Sequence, residues 1–192
     1  MGSSNRTRTA IFDAFSSLIR REDFDKITVA EICQEADVGK ATFYRYYKDK
    51  YDVMNENYRR VLFTCAMNPN VKNYRDLYCE LFRTATTDVW ISMRRSFQSV
   101  GYNSFRNFIA AYSYAFAEEI TRQNRGGKGY TEAEKLQCQV FTFGIGEMYE
   151  NWTFGKYNLT VDEAGDALFA IMPETLKYYW MLRPIRPEDI QV

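Results

Sequence analysis

The chain has 192 residues, of which 46% are hydrophobic and 17% aromatic, and its 25 basic and 25 acidic residues leave no formal net charge. A chain of this length and composition is typical of an ordered globular protein with one large or two modest hydrophobic cores. The sequence contains no histidine, which excludes catalysis by Ser-His or Cys-His pairs and every zinc site that needs a histidine ligand.

Four cysteines are scattered along the chain without a C-x-x-C pair, a pattern that favours buried free thiols over a metal site or a disulfide. Because no nucleotide-binding glycine motif occurs either, we expect no metal, no cofactor and no enzymatic activity. No segment approaches the roughly 18 uncharged apolar residues of a membrane span, and the start, MGSSNRTRT, has no apolar signal region. We therefore expect a cytoplasmic protein without a membrane partner.

Apolar residues recur at helical spacing from about residue 5 to residue 21, which predicts a first helix with one buried face. Its apolar residues are Ile11, Phe12, Phe15, Leu18 and Ile19. The next stretch, TVAEICQEADVGKATFYRYYKDK at residues 28–50, predicts two short helices joined by a tight corner. Thr28 and Glu31 form a T-x-x-E capping box, which predicts a helix start. The sequence DVG at residues 37–39 ends that helix.

The second of these short helices is predicted from about Lys40 to Tyr46. Phe43 and Tyr47, four residues apart, share its inner side. Its outward side carries Lys40, Ala41, Thr42, Tyr44, Arg45 and Tyr46. This arrangement is typical of a helix-turn-helix whose recognition helix offers hydrogen-bond donors to a DNA groove.

The remainder of the chain also shows helical periodicity, with a fourth helix from about residue 49 to residue 67 and a stop at Asn68-Pro69-Asn70. Further helices are predicted at about residues 74–82, 89–97, 105–123, 131–152 and 160–182, the first two of which could be one bent helix. Capping boxes begin the last two helices at Thr131 and Thr160. We therefore predict an all-α fold of about nine helices.

The run from Ile27 to Lys50 resembles the N-terminal DNA-binding region of the TetR family of transcriptional regulators, and VGKATFYRYYKDK is its most specific part. The resemblance covers about residues 8–55, and the rest of the chain is similar in architecture alone. It implies a DNA-binding domain at residues 1–50 and a ligand-binding and dimerisation domain at residues 51–192. The implied partners are double-stranded DNA, an unknown small-molecule effector and a second copy of the chain.

The resemblance also implies, position by position, which residues contact DNA. Thr28 and Lys50 would hold phosphates, and Tyr44 and Tyr46 match residues that contact the DNA backbone. The residues facing base edges would be Lys40, Ala41, Thr42 and Arg45. Of these, the arginine can make a bidentate contact to guanine, and the alanine or threonine can touch a thymine methyl group.

Two residues depart from the family pattern. Asp37 stands where a turn glycine is usual, which is tolerable because aspartate can adopt left-handed backbone. Gly39 stands where a serine often caps the recognition helix, so that a capping hydroxyl is lost. We therefore expect the local geometry to differ from the usual form at these two positions.

Positive charge is concentrated near the predicted recognition helix even though the net charge is zero. Residues 40–50 hold four cations against Asp49, and Arg6 and Arg8 are expected on a free N-terminal arm. So few cations predict a modest DNA affinity per subunit, and a dimer would double the contacts.

Glycines at positions 144 and 146 lie inside the predicted helix 131–152, where each costs about 1 kcal/mol relative to alanine. Close approach of another helix would explain them, because this family pairs its subunits through the two C-terminal helices. Candidate dimer residues are Phe141, Ile145, Leu168, Ile171, Leu176 and Tyr179. Burial within one subunit predicts the same residues, so both interpretations are open.

The C-terminal part has more aromatic residues than simple packing requires, and some are candidates to line an effector pocket. The candidate set is Trp90, Arg94, Tyr112, Phe116, Glu147 and Trp152. Glu147 would suit a cationic ligand, whereas Arg94 would suit an acid.

The functional hypothesis from the sequence is a ligand-responsive homodimeric repressor that binds a pseudo-palindromic operator, with recognition helices about 34–36 Å apart. An activator or co-regulator with the same fold is the first alternative. A helical small-molecule carrier or enzyme is the second, and the missing histidine and nucleotide motif count against it.

Overall fold

The computed structural model of the protein describes residues 3–84 and 89–190. Within these residues the fold is all-helical and contains no strand, which confirms the predicted fold class. The ten α-helices are α1 (Ser3–Arg21), α2 (Val29–Glu35), α3 (Lys40–Phe43), α4 (Lys50–Ala66), α5 (Tyr74–Thr84), α6 (Val89–Ser96), α7 (Phe105–Asn124), α8 (Glu132–Thr153), α9 (Val161–Ile171) and α10 (Glu174–Lys177). Two 3-10 turns lie at Phe24–Lys26 and Pro187–Asp189.

The chain packs as two compact units: Met1–Tyr58 with Asp88–Phe105, and Arg59–Thr87 with Arg106–Val192. The first unit contains the helix-turn-helix segment together with α6, which packs on α1. These units are defined by packing alone, so the functional division of the chain at residue 50 stays a prediction.

The core of the first unit forms around the predicted apolar face of α1. Ile11, Phe15 and Ile19 are fully buried there, and the rings of Phe15 and Phe24 meet edge to face with 6.4 Å between their centres. Such an aromatic pair stabilises the fold beyond its buried area. The first unit thus has an apolar core of its own behind the helix-turn-helix.

The second unit is built on close packing of α5 against α9. Gly165 on α9 makes this possible, because a Cβ atom added there would overlap the Sγ atom of Cys79 on α5. Tyr149 on α8 donates a hydrogen bond from its hydroxyl to the carbonyl of Leu81 at 2.9 Å. All four cysteines are free and buried, as the sequence predicted.

Three helix boundaries differ from the sequence prediction. The last predicted helix does not reach residue 182, because Pro173 disfavours helical backbone at Met172, where ψ is 137°. The recognition helix α3 ends at Phe43 and is followed by a turn. Helix α1 begins at Ser3, so Arg6 and Arg8 belong to a helix and the prediction of a free arm there was wrong.

Among the described residues, no helix is long and apolar enough to cross a membrane.

Candidate nucleic-acid interface

The start of α2 is fixed by the capping box that the sequence predicted. The Thr28 Oγ1 atom accepts a hydrogen bond from the Glu31 backbone N–H at 3.2 Å, and one Glu31 carboxylate oxygen accepts from both the Thr28 N–H and the Thr28 hydroxyl at 2.7 Å. These hydrogen bonds hold the pKa of the Glu31 carboxyl below its usual value. Thr28 therefore holds α2 in place, and its hydroxyl proton is directed to Glu31.

The corner between α2 and α3 adopts the conformation that glycine normally supplies. Asp37 has a φ of 52°, the left-handed backbone expected from the sequence. Its N–H donates to the Gln34 carbonyl at 3.3 Å, and the Val38 N–H donates to the Cys33 carbonyl at 2.9 Å. This pair of hydrogen bonds is the Schellman motif, in which a left-handed residue turns the chain sharply at the end of a helix.

Gly39 is the N-cap of α3 and has no capping side chain, as the sequence predicted. Gly39 has ordinary extended backbone, with φ −76° and ψ 153°. Among the described residues, nothing lies within 4 Å of a Cβ atom added at this position. Glycine is therefore not required here by space or by backbone conformation.

The outward and inward sides of the α3 segment are clearly separated. Phe43 and Tyr47 are buried, with 6.0 Å between their ring centres, and the Tyr47 hydroxyl donates to the Arg8 carbonyl at 3.4 Å. The exposed side chains are Lys40, Ala41, Tyr44 and Arg45, and the half-buried ones are Thr42 and Tyr46. The two buried rings thus anchor a short helix that presents a polar, positively charged surface.

Of the nearby cations, Arg8 is engaged inside the first unit. Its guanidinium lies 2.9 Å from a Glu56 carboxylate oxygen and 5.6 Å from the centre of the Tyr47 ring. Lys40, Arg45 and Lys48 are exposed. These three exposed side chains therefore supply local positive charge around α3.

Lys50 has a different environment, at the first residue of α4. Its ammonium nitrogen donates hydrogen bonds to the backbone carbonyls of Phe24, Asp25 and Ile27 at 2.9, 3.2 and 2.8 Å. The nitrogen also lies 4.5 Å from the centre of the Phe24 ring. Burial lowers the pKa of Lys50, and the charges of Asp25 and Glu31 partly oppose that effect.

The candidate ligand residues have separate local environments. Arg94 is exposed in the first unit, Tyr112 and Phe116 are buried on α7, and the side chain of Trp90 lies outside the described residues. Glu147 is exposed on α8 and its carboxylate lies 3.0 Å from the Arg106 guanidinium. Trp152 packs on Phe82 and donates from its indole N–H to the Leu159 carbonyl at 3.1 Å. The effector site stays a prediction.

The candidate dimer residues fall into three groups by burial. Those buried within the chain's own fold are Phe141, Ile145, Leu168 and Leu176. Tyr179 is half-buried and its hydroxyl oxygen accepts a hydrogen bond from Arg125 Nε at 3.2 Å. Ile171, by contrast, is 71% exposed. The four buried residues thus pack within the subunit. Of the six candidates, Ile171 is the one whose apolar side chain is largely exposed.

Leu136, Val140 and Phe143 mark this helix in the sequence by their spacing, but their exposure on the outer side of α8 was not predicted. Leu136, Val140 and Phe143 are 64%, 67% and 61% exposed. A groove of about 670 Å³ runs between α8 and α9 and is lined by residues that include Leu136, Val140, Gly144 and Ile171. The spacing i, i+4 and i+7 at 136, 140 and 143 could have revealed that these residues share an outer side, because buried Cys138, Phe141 and Ile145 belong to a different side of the helix.

Comparison with known proteins identifies the N-terminal segment. Residues 11–56 match the family model of bacterial regulatory proteins of the tetR family, and no curated protein matches the chain. The matched residues include all of α2 and α3, with their capped start, left-handed corner and exposed polar side. They therefore form a helix-turn-helix DNA-binding domain of the tetR family, and the chain carries the DNA-binding part of a transcriptional regulator of this type.

Proposed function

We propose that the protein is a ligand-responsive repressor that binds a pseudo-palindromic operator as a homodimer. One observation carries the DNA-binding part: within the matched segment, α3 exposes Lys40, Tyr44 and Arg45 while Phe43 and Tyr47 anchor its other side in the core. A short helix anchored in this way can enter a major groove without losing its own packing.

The proposed contacts divide into those that position the protein and those that select sequence. Tyr44 and Tyr46 would contact the sugar-phosphate backbone, and Thr28 would do so only where its hydroxyl or N–H turns from Glu31 to a phosphate. Lys40 and Arg45 would face base edges, and the arginine is the side chain best suited to guanine. Ala41 or Thr42 would lie against a thymine methyl group.

We propose that the homodimer forms through the outer α8–α9 face, defined by Leu136, Val140, Phe143, Gly144 and Ile171. Contiguous exposed apolar residues of this kind are uncommon on monomers and mark interaction surfaces. Next to Ile171 on α9, Ala167 and Ala170 are also exposed. With Gly144, these small residues would let the helices of a second copy approach closely, and a two-fold axis would place the same face on both sides.

The effector would act on the equilibrium between two forms of this dimer. A ligand bound in residues 68–192 would favour the form whose two recognition helices are spaced wrongly for DNA. It can do so only through its different affinity for the two forms. Tyr112, Phe116, Glu147 and Trp152 of the second unit remain the proposed contacts, whereas Trp90 and Arg94 do not belong to that unit.

DNA binding is tested with a duplex that the unchanged protein selects from a random library, about 30 base pairs long to cover two half-sites. Affinity should fall as salt rises, with a slope of about −0.9 per phosphate contacted. Arg45→Ala should weaken binding and relax the preference at a guanine. Lys128→Ala removes an exposed cation of the second unit and should leave the base preference unchanged. Equal affinity for all duplexes would refute the operator proposal.

Repression and its relief are tested with a reporter gene placed behind the selected duplex in a heterologous host. The unchanged protein should lower reporter expression, and the Arg45→Ala variant should restore it. Higher expression in the presence of the protein would instead identify an activator. A screen for compounds that weaken binding of the purified protein to the duplex would test the proposed ligand response.

The dimer is tested by sedimentation of Val140→Glu against Gln139→Glu. Both variants add one carboxylate to an exposed position of α8, but Gln139 does not line the groove. Val140→Glu should weaken self-association by about a hundredfold, since it buries an unpaired charge at the interface, whereas the control should remain dimeric. Equal behaviour of the two variants would place the interface elsewhere.

A further inference from the structure

The surroundings of Lys50 point to a role other than the phosphate contact that the family resemblance implies. A lysine ammonium has three N–H donors and no acceptor. In this fold three backbone carbonyls, those of Phe24, Asp25 and Ile27, lie within 3.2 Å of the nitrogen. A DNA phosphate could therefore reach this nitrogen with a direct hydrogen bond only if one of the carbonyls lost its donor.

These carbonyls belong to the 3-10 turn at Phe24–Lys26 and to the residue that ends it. The Phe24 carbonyl also accepts the Ile27 N–H at 3.2 Å inside the turn, and a cation placed at the end of a helical turn satisfies carbonyl groups that lack enough donors there. The next residue, Thr28, is the N-cap of α2. Lys50 itself opens α4, so its side chain joins the start of α4 to the residues immediately before α2.

Two aromatic rings lie beside the ammonium and add to this link. Phe24 is fully buried, its ring centre lies 4.9 Å from that of Tyr51, and the Lys50 nitrogen lies 4.5 Å from the Phe24 ring and 6.0 Å from the Tyr51 ring. A cation over aromatic faces gains electrostatic attraction, and more so when it is partly removed from water. The capping carboxylate of Glu31 adds a favourable charge.

We infer that Lys50 is a positioning residue: it holds the start of α2, and with it the helix-turn-helix, against the first turn of α4, and it makes no direct phosphate contact. This inference rests on the proposed DNA binding. Exposed Lys40, ten positions earlier, provides the contrast, because its side chain lies on the surface that is proposed to face DNA.

The test compares Lys50→Met, Lys50→Arg and Lys40→Met on the duplex selected by the unchanged protein, over a salt series at 10 °C. Circular dichroism first establishes that each variant is folded at that temperature. Lys50→Met should weaken binding about tenfold at every salt concentration, which corresponds to about 1.4 kcal/mol, with an unchanged salt slope. Lys40→Met should make the slope shallower, by up to about 0.9 where this lysine also neutralises a phosphate beside the base edge that it faces.

Lys50→Arg keeps the inference testable even where Lys50→Met does not fold. A planar guanidinium keeps the charge but cannot direct three donors from one nitrogen at three converging carbonyls. It should therefore weaken binding as well, whereas a simple phosphate contact would survive this replacement.

Three results would overturn the inference alone: a slope change in Lys50→Met equal to that in Lys40→Met, unchanged affinity in Lys50→Arg, or unchanged affinity in folded Lys50→Met. Failure of the unchanged protein to select any duplex would instead overturn the proposed function, and the role of Lys50 in DNA binding with it.

Discussion

The α3 segment and helix α8 differ in how their apolar residues are distributed around the helix. In the α3 segment, Phe43 and Tyr47 face the core while the other side is polar. In α8, apolar residues occupy both the buried side, with Phe141 and Ile145, and the exposed side, with Val140. A helix with one apolar side reveals its orientation in the sequence, whereas a helix with two does not.

This difference has a functional meaning in the proposed regulator. A polar outer side fits a partner such as DNA, which is bound mainly through charge and hydrogen bonds. An apolar outer side fits a protein partner whose own apolar side becomes buried with it. The two regions therefore present different surface chemistry. Substitutions on the buried side of each helix should affect stability, and substitutions on the exposed side should affect binding.

The largest expected effect concerns the inner side of α9. Gly165→Ala places a Cβ atom against Cys79 and should lower the free energy of unfolding by about 2–3 kcal/mol, since a well-packed interface has no room for it. Gly39→Ala is the control, because its backbone is extended and, among the described residues, nothing lies within 4 Å of its added Cβ atom. It should change the free energy of unfolding by less than about 0.5 kcal/mol. Urea unfolding at equal protein concentration measures both, and equal losses would contradict the packing of α5 on α9.

The next effect concerns the start of α8. Glu134 accepts hydrogen bonds from both terminal nitrogens of Arg125, at 2.8 and 2.6 Å, and from the Thr175 hydroxyl at 2.8 Å, in addition to its capping contacts with Thr131. Glu134→Gln removes the charge from this network and should cost about 1.5–3 kcal/mol of unfolding free energy.

The matched control for that substitution is Glu163→Gln. Glu163 occupies the same capping position on α9 and accepts hydrogen bonds from Thr160, but it has no arginine partner among the described residues. Its loss should be smaller, because glutamine still fits the capping box. A loss as large as that of Glu134→Gln would mean that the Arg125 network adds nothing.

The same carboxylate predicts a pH dependence. Hydrogen bonds from Arg125 hold the pKa of Glu134 well below its usual value. A lowered folded pKa contributes stability that is fully present above the unfolded pKa of about 4.3 and is lost as pH falls through the folded value. The stability difference between the unchanged protein and Glu134→Gln should therefore be constant from pH 7 to about pH 5 and narrow below about pH 4. Urea midpoints across this range measure it, and a difference that widens in acid would contradict the assignment.

The elements that the sequence predicted correctly are those set by local chemistry. Capping boxes at Thr28, Thr131 and Thr160 gave three helix starts, and each has the expected reciprocal hydrogen bonds. The left-handed corner at Asp37 was expected from the family resemblance, which places a turn glycine there, and aspartate tolerates that backbone. The end of α9 was missed because a capping box says where a helix begins and not where it ends, and Pro173 decides the end.

The features that could not be predicted depend on which distant residues meet. The three carbonyls around Lys50 belong to residues 23 to 26 positions earlier in the chain. No local sequence pattern predicts that these residues meet Lys50. For the same reason, burial of Phe141 and exposure of Val140 could not be distinguished. Periodicity reports that a side is apolar, but tertiary packing decides which partner covers it.

A smaller effect is expected at the corner before α3. Asp37→Gly removes the cost of left-handed backbone for a residue with a Cβ atom and should stabilise the first unit by about 0.5–1 kcal/mol. Asp37→Ala should destabilise it, because alanine has the Cβ atom and lacks the polar side chain that tolerates this conformation. Thermal unfolding of both variants checks the sign. Stabilisation by both would mean that the corner can relax away from a φ of 52°.

The smallest effect is expected two residues later. Gly39→Ser supplies a hydroxyl at the N-cap of α3, where the backbone is already extended and a Cβ atom has open space among the described residues. Replacing a glycine cap by serine should add a few tenths of a kcal/mol, because it satisfies one free N–H of the first turn. Gly39→Ala adds the same Cβ atom without the hydroxyl and should not stabilise. Because the change lies beside Lys40, DNA affinity should be measured with it. An increase in stability with unchanged affinity would separate the folding of α3 from its recognition surface, whereas a loss of affinity would mean that DNA requires the close approach that glycine allows.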